Sequence, residues 1–176
     1  ALALQDVVVP WGAQFWGLLN NQIDLAVYRQ GAQAVMESAS LYDVKMIGDL
    51  DYTYSPLSAL LFTPLAWISF DVARWLWTAG IVVALYRVVM LSFRSLGRPV
   101  TWPLRVIAMS LVAVAMLLEP VRTTIWYGQI NVFLMLLILA DLTRSDTSRT
   151  KGVGAGIAAG IKLTPLIFAG YYAVQR

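Results

Sequence analysis

The sequence predicts an all-α protein, a polytopic bundle of transmembrane helices, on the strength of three observations. Hydrophobic residues make up 59% of the 176 residues and charged residues only 13%, whereas about a quarter of an ordinary soluble domain is charged. Long charge-free runs recur between short basic stretches, and no strand pattern is visible. Seven tryptophans and eight tyrosines are typical of a protein with aromatic belts at the membrane surface. A lipid-facing exterior explains the missing charge.

The missing residue types exclude several classes of chemistry. The sequence has no cysteine and no histidine, which excludes disulfide scaffolds, zinc fingers, cysteine nucleophiles and Ser-His-Asp triads within this stretch. No phosphate-binding glycine loop follows a strand, no cofactor is expected, and no carboxylate cluster indicates a divalent metal. The expected partner is a lipid bilayer, not a nucleic acid. Because the chain stops as an apolar helix finishes, we expect it to be a segment of a longer protein.

The charge distribution predicts which parts face the cytoplasm. Residues 1–51 carry six acidic and two basic side chains, a balance of −4, whereas residues 52–176 carry four acidic and eleven basic ones, a balance of +7. Basic loops favour the cytoplasmic side of a membrane. We therefore expect the acidic first third to lie outside the cytoplasm.

Residues 1–73 are predicted to form an extracytoplasmic loop with juxtamembrane helices. The first twenty residues could include the end of a first transmembrane helix, and a short helical run follows at 25–36. The charge-free stretch 54–70 is interrupted by Pro56 and Pro64, so we interpret it as a juxtamembrane or re-entrant helix. If it crossed the membrane, the basic loops would face outward, which the positive-inside bias disfavours.

Residues 74–176 are predicted to contain four transmembrane helices, at about 74–93, 103–118, 123–141 and 152–175. Basic loops join the first helix to the second and the third to the fourth. Both loops fall on one side with two crossings between them, as a consistent topology requires. The sequence thus predicts a multi-pass protein of the cell membrane.

Asp24 is the first candidate for chemistry. It lies at the start of a helical run, where an N-cap is the more frequent role of an aspartate. A carboxylate beside apolar surface could also act as a general base toward an attacking hydroxyl, and the two roles are compatible. Tyr52 and Tyr54 follow Asp51 just before an apolar helix. An interfacial belt and stacking on a sugar are equally consistent with these phenols.

Lys162 is the most unusual residue, because it lies well inside the last predicted span. A charge within a span is costly and is a functional hypothesis by default. Pro165 follows and is predicted to kink the helix. Upstream, Gly152, Gly156 and Gly160 recur at every fourth residue, a spacing that favours close helix packing.

Two further polar pairs lie at or near the extracytoplasmic turn. Glu119 and Arg122 flank a proline and are predicted to form a local ion pair or to snorkel, although an arginine there could instead bind a phosphate. Gln129 and Asn131 place two amides in an apolar helix. Interhelical hydrogen bonding and substrate binding both remain open for them.

Six segments share a recognisable set of motifs in chain order: 24–28, 41–43, 52–57, 119–124, 127–131 and 158–165. Together they resemble glycosyltransferase family 87, and in particular its actinobacterial polyprenol-phosphate-mannose-dependent mannosyltransferases. Ser55 stands where that family usually has a proline, and Tyr52 where phenylalanine is common. The matches together extend from about residue 21 to residue 175.

The resemblance implies an integral membrane enzyme of GT-C fold whose active site faces the periplasm. It implies transfer of mannose from polyprenol-phosphate-mannose to a mannosylated glycolipid, with inversion and an α-linked product, for which α-1,2 is the expected linkage. Asp24 would be the general base. We expect Arg122 and Lys162 to stabilise the leaving phosphate. The complete set of expected substrate-binding residues is Tyr28, Tyr52, Tyr54, Glu119, Arg122, Gln129, Asn131 and Lys162.

Two alternatives remain from the sequence. The same family includes arabinofuranosyltransferases that use decaprenyl-phosphate arabinose, and sugar choice depends on pocket shape. A transporter or non-catalytic scaffold would also account for a lysine in a kinked helix. The acidic, aromatic outer segment favours an enzyme that holds its substrate above the membrane.

Overall fold

The structure, a computed structural model, describes residues 7, 19, 21–43 and 45–174. Within these residues every regular element is helical, as the sequence predicts. The possible end of a first transmembrane helix in residues 1–20 lies outside the described residues, apart from positions 7 and 19. The elements are α1 (Ile23–Met36), α2 (Pro56–Leu61), α3 (Thr63–Ala66), α4 (Phe70–Ser95), α5 (Trp102–Ala115), α6 (Glu119–Tyr127), α7 (Asn131–Leu142), α8 (Val153–Ile161), a 3-10 turn (Thr164–Leu166) and α9 (Ile167–Val174).

Helix α4 is long enough to cross a membrane. Its 26 residues correspond to about 39 Å, against a hydrocarbon core of about 30 Å. Ser69 begins the helix by accepting a hydrogen bond from the Val72 amide. Among the described residues it is the one single helix that meets the length and composition of a span, and α5 with α6 would make a second if the two, bent by 77°, form one broken span.

The third predicted span, 123–141, is not continuous. Gly128 adopts a left-handed conformation with φ 70° and ends α6, and α7 begins three residues later. A side chain at this glycine would collide with α1, since its Cβ would lie 2.9 Å from the Leu25 Cβ. The helix therefore breaks where α1 packs against Gly128, and the prediction of one helix here is wrong.

The fourth predicted span, 152–175, is also broken, earlier than its proline suggests. Helix α8 ends at Ile161, and Lys162 is extended with φ −138° and ψ 135°. The ring of Pro165 would clash with the carbonyl four residues before it, that of Ile161. Ser55 satisfies the carbonyls at this break: its amide donates to the Ile161 oxygen at 3.5 Å and its hydroxyl to the Gly160 oxygen.

The stretch 54–70 forms two short helices, α2 and α3, of six and four residues. Neither is long enough to span a bilayer. Ser55 caps α2 by accepting from the Ser58 amide, and Pro56 occupies the first helical turn, a position that a proline tolerates because its missing donor has no partner there.

The core that positions the site lies beneath α1. Leu25, Tyr28 and Ala32 of α1 pack against Phe62 and Ile130, and the rings of Tyr28 and Phe62 stack at 4.7 Å. Residues of α4, α7 and α8 complete this cluster. The buried face of α1 therefore lies against the region where α7 begins and α8 ends.

Candidate functional site

Asp24 is the second residue of α1 and does not cap it. Gln22 occupies the cap position without a side-chain cap, and the Asn21 side chain accepts from the Ile23 amide at 3.2 Å. The prediction that Asp24 is an N-cap is therefore wrong. The half-buried Asp24 carboxylate therefore has no capping role and can contact other groups.

Gln22 holds the start of α1 against the end of α6. Its amide donates to the Trp126 carbonyl at 2.6 Å, and its side-chain nitrogen lies 2.9 Å from the Thr78 hydroxyl and 3.3 Å from the Ile125 carbonyl. The side chain is fully buried. Nothing in the sequence marks this glutamine, because its partners are distant in the chain.

A row of polar side chains runs from Asp24 through Gln129 and Asn131 to Lys162, and we call it the polar row. The Gln129 side chain lies close enough to the Asp24 carboxylate to lower the pKa of that group by hydrogen bonding. The Asn131 amide nitrogen donates to the Gln129 side-chain oxygen at 2.9 Å, and the Lys162 ammonium donates to the Asn131 oxygen at 3.1 Å. The break in α8 and the turn after Gly128 thus bring four of the predicted site residues together.

Two tyrosines border the polar row. The hydroxyls of Tyr28 and Tyr54 lie 3.0 Å apart, and the Tyr28 oxygen accepts from the Ile130 amide at 3.3 Å. The Lys162 ammonium lies 5.6 Å from the centre of the Tyr54 ring, a distance suited to a cation–π contact. Tyr28 is fully buried, so it positions the site, while the half-buried Tyr54 can also contact a ligand.

The environment adjusts the acidity of these groups. Burial raises the pKa of Asp24 above its ordinary value, although the hydrogen bond from Gln129 and the charge of Lys162 lower it in part. Burial likewise raises the pKa values of Tyr28 and Tyr54. The two phenols therefore remain protonated, and Asp24 is a carboxylate with increased affinity for a proton, as a general base requires.

Tyr52 lies in the core, contrary to its predicted contact with substrate. It is 2% exposed, and its hydroxyl lies 2.6 Å from the Ser58 hydroxyl. Its ring fills the space beside Gly31, where a Cβ would approach to 2.2 Å, and burial raises its pKa to about 12. Tyr52 supports Tyr54 from behind, with ring centres 6.0 Å apart.

Glu119 and Arg122 lie in the first turn of α6, away from its end at Gly128. Within the part of the chain that the structure describes, they form no ion pair with each other, so the prediction of a local ion pair is wrong. The Arg122 Nε is buried and has no hydrogen-bond partner among the described residues. Among the described residues, neither side chain forms an ion pair or a hydrogen bond with Asp24.

An apolar groove opens from the polar row. It has a volume of about 590 Å³, with Asn131 and Lys162 at one end and Leu142 at the other. The walls come from α4, α7 and the segment after the α8 break, for example Val88, Ile138 and Phe168. Among residues 7, 19, 21–43 and 45–174, no group of three metal-ligating side chains occurs.

Within the described residues, the fold and the site define a helical protein with at least one helix long and apolar enough to cross a membrane, and with an acidic and a basic group joined by amides where helices break. This class matches the result of sequence comparison. The chain belongs to glycosyltransferase family 87, whose profile matches residues 52–176.

Named relatives come from actinobacterial species. A polyprenol-phosphate-mannose-dependent alpha-(1-2)-phosphatidylinositol pentamannoside mannosyltransferase of Mycolicibacterium smegmatis is 39% identical over 176 residues, covering 96% of this chain and 40% of the relative. A phosphatidylinositol mannoside mannosyltransferase with the same donor dependence and linkage, from the same organism, is 34% identical and covers 92% of this chain and 41% of the relative.

An alpha-(1->3)-arabinofuranosyltransferase of Corynebacterium glutamicum is 35% identical over 126 residues, covering 68% of this chain and 29% of the relative. The chain spans about two fifths of the length of the mannosyltransferases that it matches. No solved structure shows a significant match to it.

Proposed function

We propose that this chain is part of a multi-pass membrane mannosyltransferase of GT-C type. The enzyme transfers mannose from polyprenol-phosphate-mannose to a mannosylated glycolipid on the extracytoplasmic side. Inversion of a β-linked donor gives an α-mannosidic bond, for which the relatives' names favour α-(1-2). One observation carries the proposal: the half-buried Asp24 carboxylate is linked to Lys162 at the mouth of an apolar groove.

The reaction needs a base for the acceptor. Asp24 takes the proton of an acceptor mannose hydroxyl as that oxygen attacks the anomeric carbon of the donor. The bond between the anomeric carbon and the phosphate oxygen breaks, and its electron pair leaves with the phosphate. The raised pKa of Asp24 favours this role, because a carboxylate of higher proton affinity is a stronger base.

The leaving phosphate needs a positive charge. Lys162 supplies it, since its ammonium has three donors and uses one on Asn131. Preorganised cations at a developing negative charge are a large source of rate enhancement. Arg122 remains a second candidate for the phosphate in the proposal, and Glu119 a candidate for the acceptor. In this proposal Lys162 and Arg122 neutralise the charge of the leaving phosphate, and no metal ion or cofactor takes part.

The groove supports a lipid-linked donor. The groove runs along α7, whose 12 residues rise about 18 Å. Its walls are largely aliphatic and aromatic side chains. An isoprenoid chain would bury apolar surface there, with a free-energy gain of roughly 25 cal/mol per Å². Its phosphate would then lie beside Lys162 and Asn131. The exposed face of Tyr54 could stack on the sugar.

An arabinofuranosyltransferase is the second candidate, favoured by the Corynebacterium glutamicum relative. Both reactions would use the same base and the same lipid phosphate. They differ in the sugar that the pocket accepts, so parallel assays with the two lipid-linked sugars separate them.

The test uses the complete protein in membranes with polyprenol-phosphate-mannose and a mannosylated phosphatidylinositol. We expect Asp24→Asn to lower transfer by about 10²–10⁴-fold, the usual contribution of a general base. Asp49→Asn, an exposed aspartate in the same outer segment, is the matched control and should retain transfer. We expect Lys162→Met to raise the KM for the donor.

Robust transfer by Asp24→Asn would remove Asp24 from the mechanism. Transfer from decaprenyl-phosphate arabinose alone would favour the second candidate. Movement of the lipid-linked sugar across a vesicle wall without formation of a glycosidic bond would identify a transporter and overturn the enzyme proposal.

A further inference from the structure

Asp24 and Lys162 carry opposite charges in one site, yet they do not pair directly. The ion pairs among the described residues are Lys45 with Asp51, Arg74 with Asp71, and Lys151 with Asp146. The attraction of Lys162 reaches Asp24 and lowers its pKa, so the two charges are within electrostatic range. Two amide side chains lie between them.

The charged ends fix the orientation of both amides. An ammonium can only donate and an ionised carboxylate can only accept, so the Asn131 oxygen faces Lys162 and the Gln129 nitrogen faces Asp24. The remaining bond, from the Asn131 nitrogen to the Gln129 oxygen at 2.9 Å, is then the one arrangement that satisfies both amides. If either amide flipped, two donors would face each other.

Three parts of the fold hold the two amides and Lys162 in place. Asn131 is the first residue of α7, and Gln129 follows Gly128 in the turn that ends α6. The Trp77 indole nitrogen donates to the Gly128 carbonyl at 2.8 Å. Lys162 is presented by the extended break after α8, where the Ser55 hydroxyl is bonded. The polar row therefore joins elements that are distant in the chain.

We propose that Gln129 and Asn131 are positioning residues that keep Lys162 and Asp24 apart. The two amides leave the ammonium free for an anionic lipid phosphate and the carboxylate free for the acceptor hydroxyl. A direct ion pair would occupy both groups and lower the basicity of the carboxylate. The inference rests on the proposed function, because it assigns Lys162 to the donor and Asp24 to the acceptor.

Lys162 is the charge that matters for the acidity of Asp24. The other titratable neighbours are Tyr28 from the same helix and Tyr54 from the segment before α2, and both phenols stay protonated. On α6, which packs against the start of α1, Glu119 and Arg122 lie in the first turn, at the far end from Gly128.

The test measures the pH profile of kcat/KM and the KM for polyprenol-phosphate-mannose in the complete protein. We expect Asn131→Ala to let Lys162 approach Asp24, so that the acid limb of the profile moves to lower pH. The donor KM should rise about tenfold, the usual scale for losing one charge-assisted contact. Gln33→Ala, an exposed amide on α1, is the matched control and should change neither quantity.

A second background separates this role from simple structural damage. In Lys162→Met protein the cation proposed to pair with Asp24 is absent, so adding Asn131→Ala should leave the acid limb unmoved. The near-isosteric Asn131→Asp should shift the acid limb to higher pH, because it places a second carboxylate near Asp24, and should still raise the donor KM. This variant tests the inference even if the alanine variant fails to accumulate.

An unmoved acid limb in Asn131→Ala, or the same shift in the Lys162→Met background, would overturn the inference while leaving the proposed function intact. Failure of the proposed function has a different signature, since the unmodified protein would then show no transfer or Asp24→Asn would retain it.

Discussion

Gly128→Ala should destabilise the protein and reduce activity, because this glycine satisfies two requirements at once. Its φ of 70° lies in the left-handed region, which costs an ordinary L-residue about 1–2 kcal/mol. A Cβ there would also lie 2.9 Å from the Leu25 Cβ and 3.4 Å from the Leu25 amide nitrogen. Relieving such overpacking costs about 1–3 kcal/mol, so we expect a total loss of about 2–5 kcal/mol.

Two other glycines divide this cost into its parts. Gly97 has φ 73° and nothing within 4 Å of its added Cβ, so Gly97→Ala should lose about 1–2 kcal/mol from conformation alone. Gly156 lies inside α8 with an equally open position. Gly156→Ala should be neutral or stabilise by up to about 1 kcal/mol, since alanine is the better helix former.

The assay compares midpoints of thermal unfolding of the three variants of the complete protein in detergent, together with their transfer rates. We expect Gly128→Ala to unfold at the lowest temperature and Gly156→Ala at the highest. Transfer should fall most in Gly128→Ala, because moving Leu25 also moves the neighbouring Asp24 away from Gln129. The reasoning is refuted if Gly128→Ala is no less stable than Gly97→Ala.

Three further predictions follow from the contacts around the site. Tyr28→Phe leaves the buried Ile130 amide without its acceptor, so the free energy of unfolding should fall by about 1–3 kcal/mol; chemical denaturation checks this against Tyr42→Phe at an exposed site. Ser55→Ala removes both the α2 cap and a bond to the break after α8; it should cost about 0.5–2 kcal/mol and raise the donor KM, and an unchanged KM would separate this serine from the site. Burial raises the pKa of Asp24, so the unfolded state loses its proton first as pH rises, and the charged form costs stability at neutral pH. Asp24→Asn should therefore unfold at a higher temperature than the unmodified protein at pH 7, with a difference that disappears at acidic pH; an equal difference at both pH values would contradict burial as the cause.

The gain in stability expected of Asp24→Asn has a functional meaning. The helix dipole favours a carboxylate in the first turn, but Asp24 does not cap its helix and its burial is costly, so folding explains it only in part. Such costs are typical of active sites, where a stabilising change also removes activity. Loss of transfer together with a gain in stability would be difficult to attribute to a structural role.

The candidate residues could be identified from the sequence because their signals are local. Asp24 stands out as a carboxylate at the edge of an apolar helix, and Lys162 as a charge within an apolar run. The helical class follows from composition and charge spacing, which need no knowledge of long-range contacts. The resemblance to glycosyltransferase family 87 depended on short segments in order, and the profile match over residues 52–176 confirms it.

The sequence could not assign the roles of the two tyrosines that flank Thr53. They lie in an irregular segment, where no period relates sequence position to a face of the protein. The structure buries Tyr52 against Gly31 and places Tyr54 beside Lys162. Gln22 and Trp77 likewise could not be selected from the sequence, since each acts through partners distant in the chain.

The sequence by itself determined the apolar helical character of the chain and the two charges, Asp24 and Lys162, that an apolar setting makes costly. Only the tertiary structure decided where the helices break and which polar groups meet. Breaks depend on whether freed carbonyls find donors, and at Gly160 and Ile161 the donor is Ser55. Pairing depends on the close approach of α1 at Gly128. Both are set by contacts between distant segments, which local sequence patterns do not record.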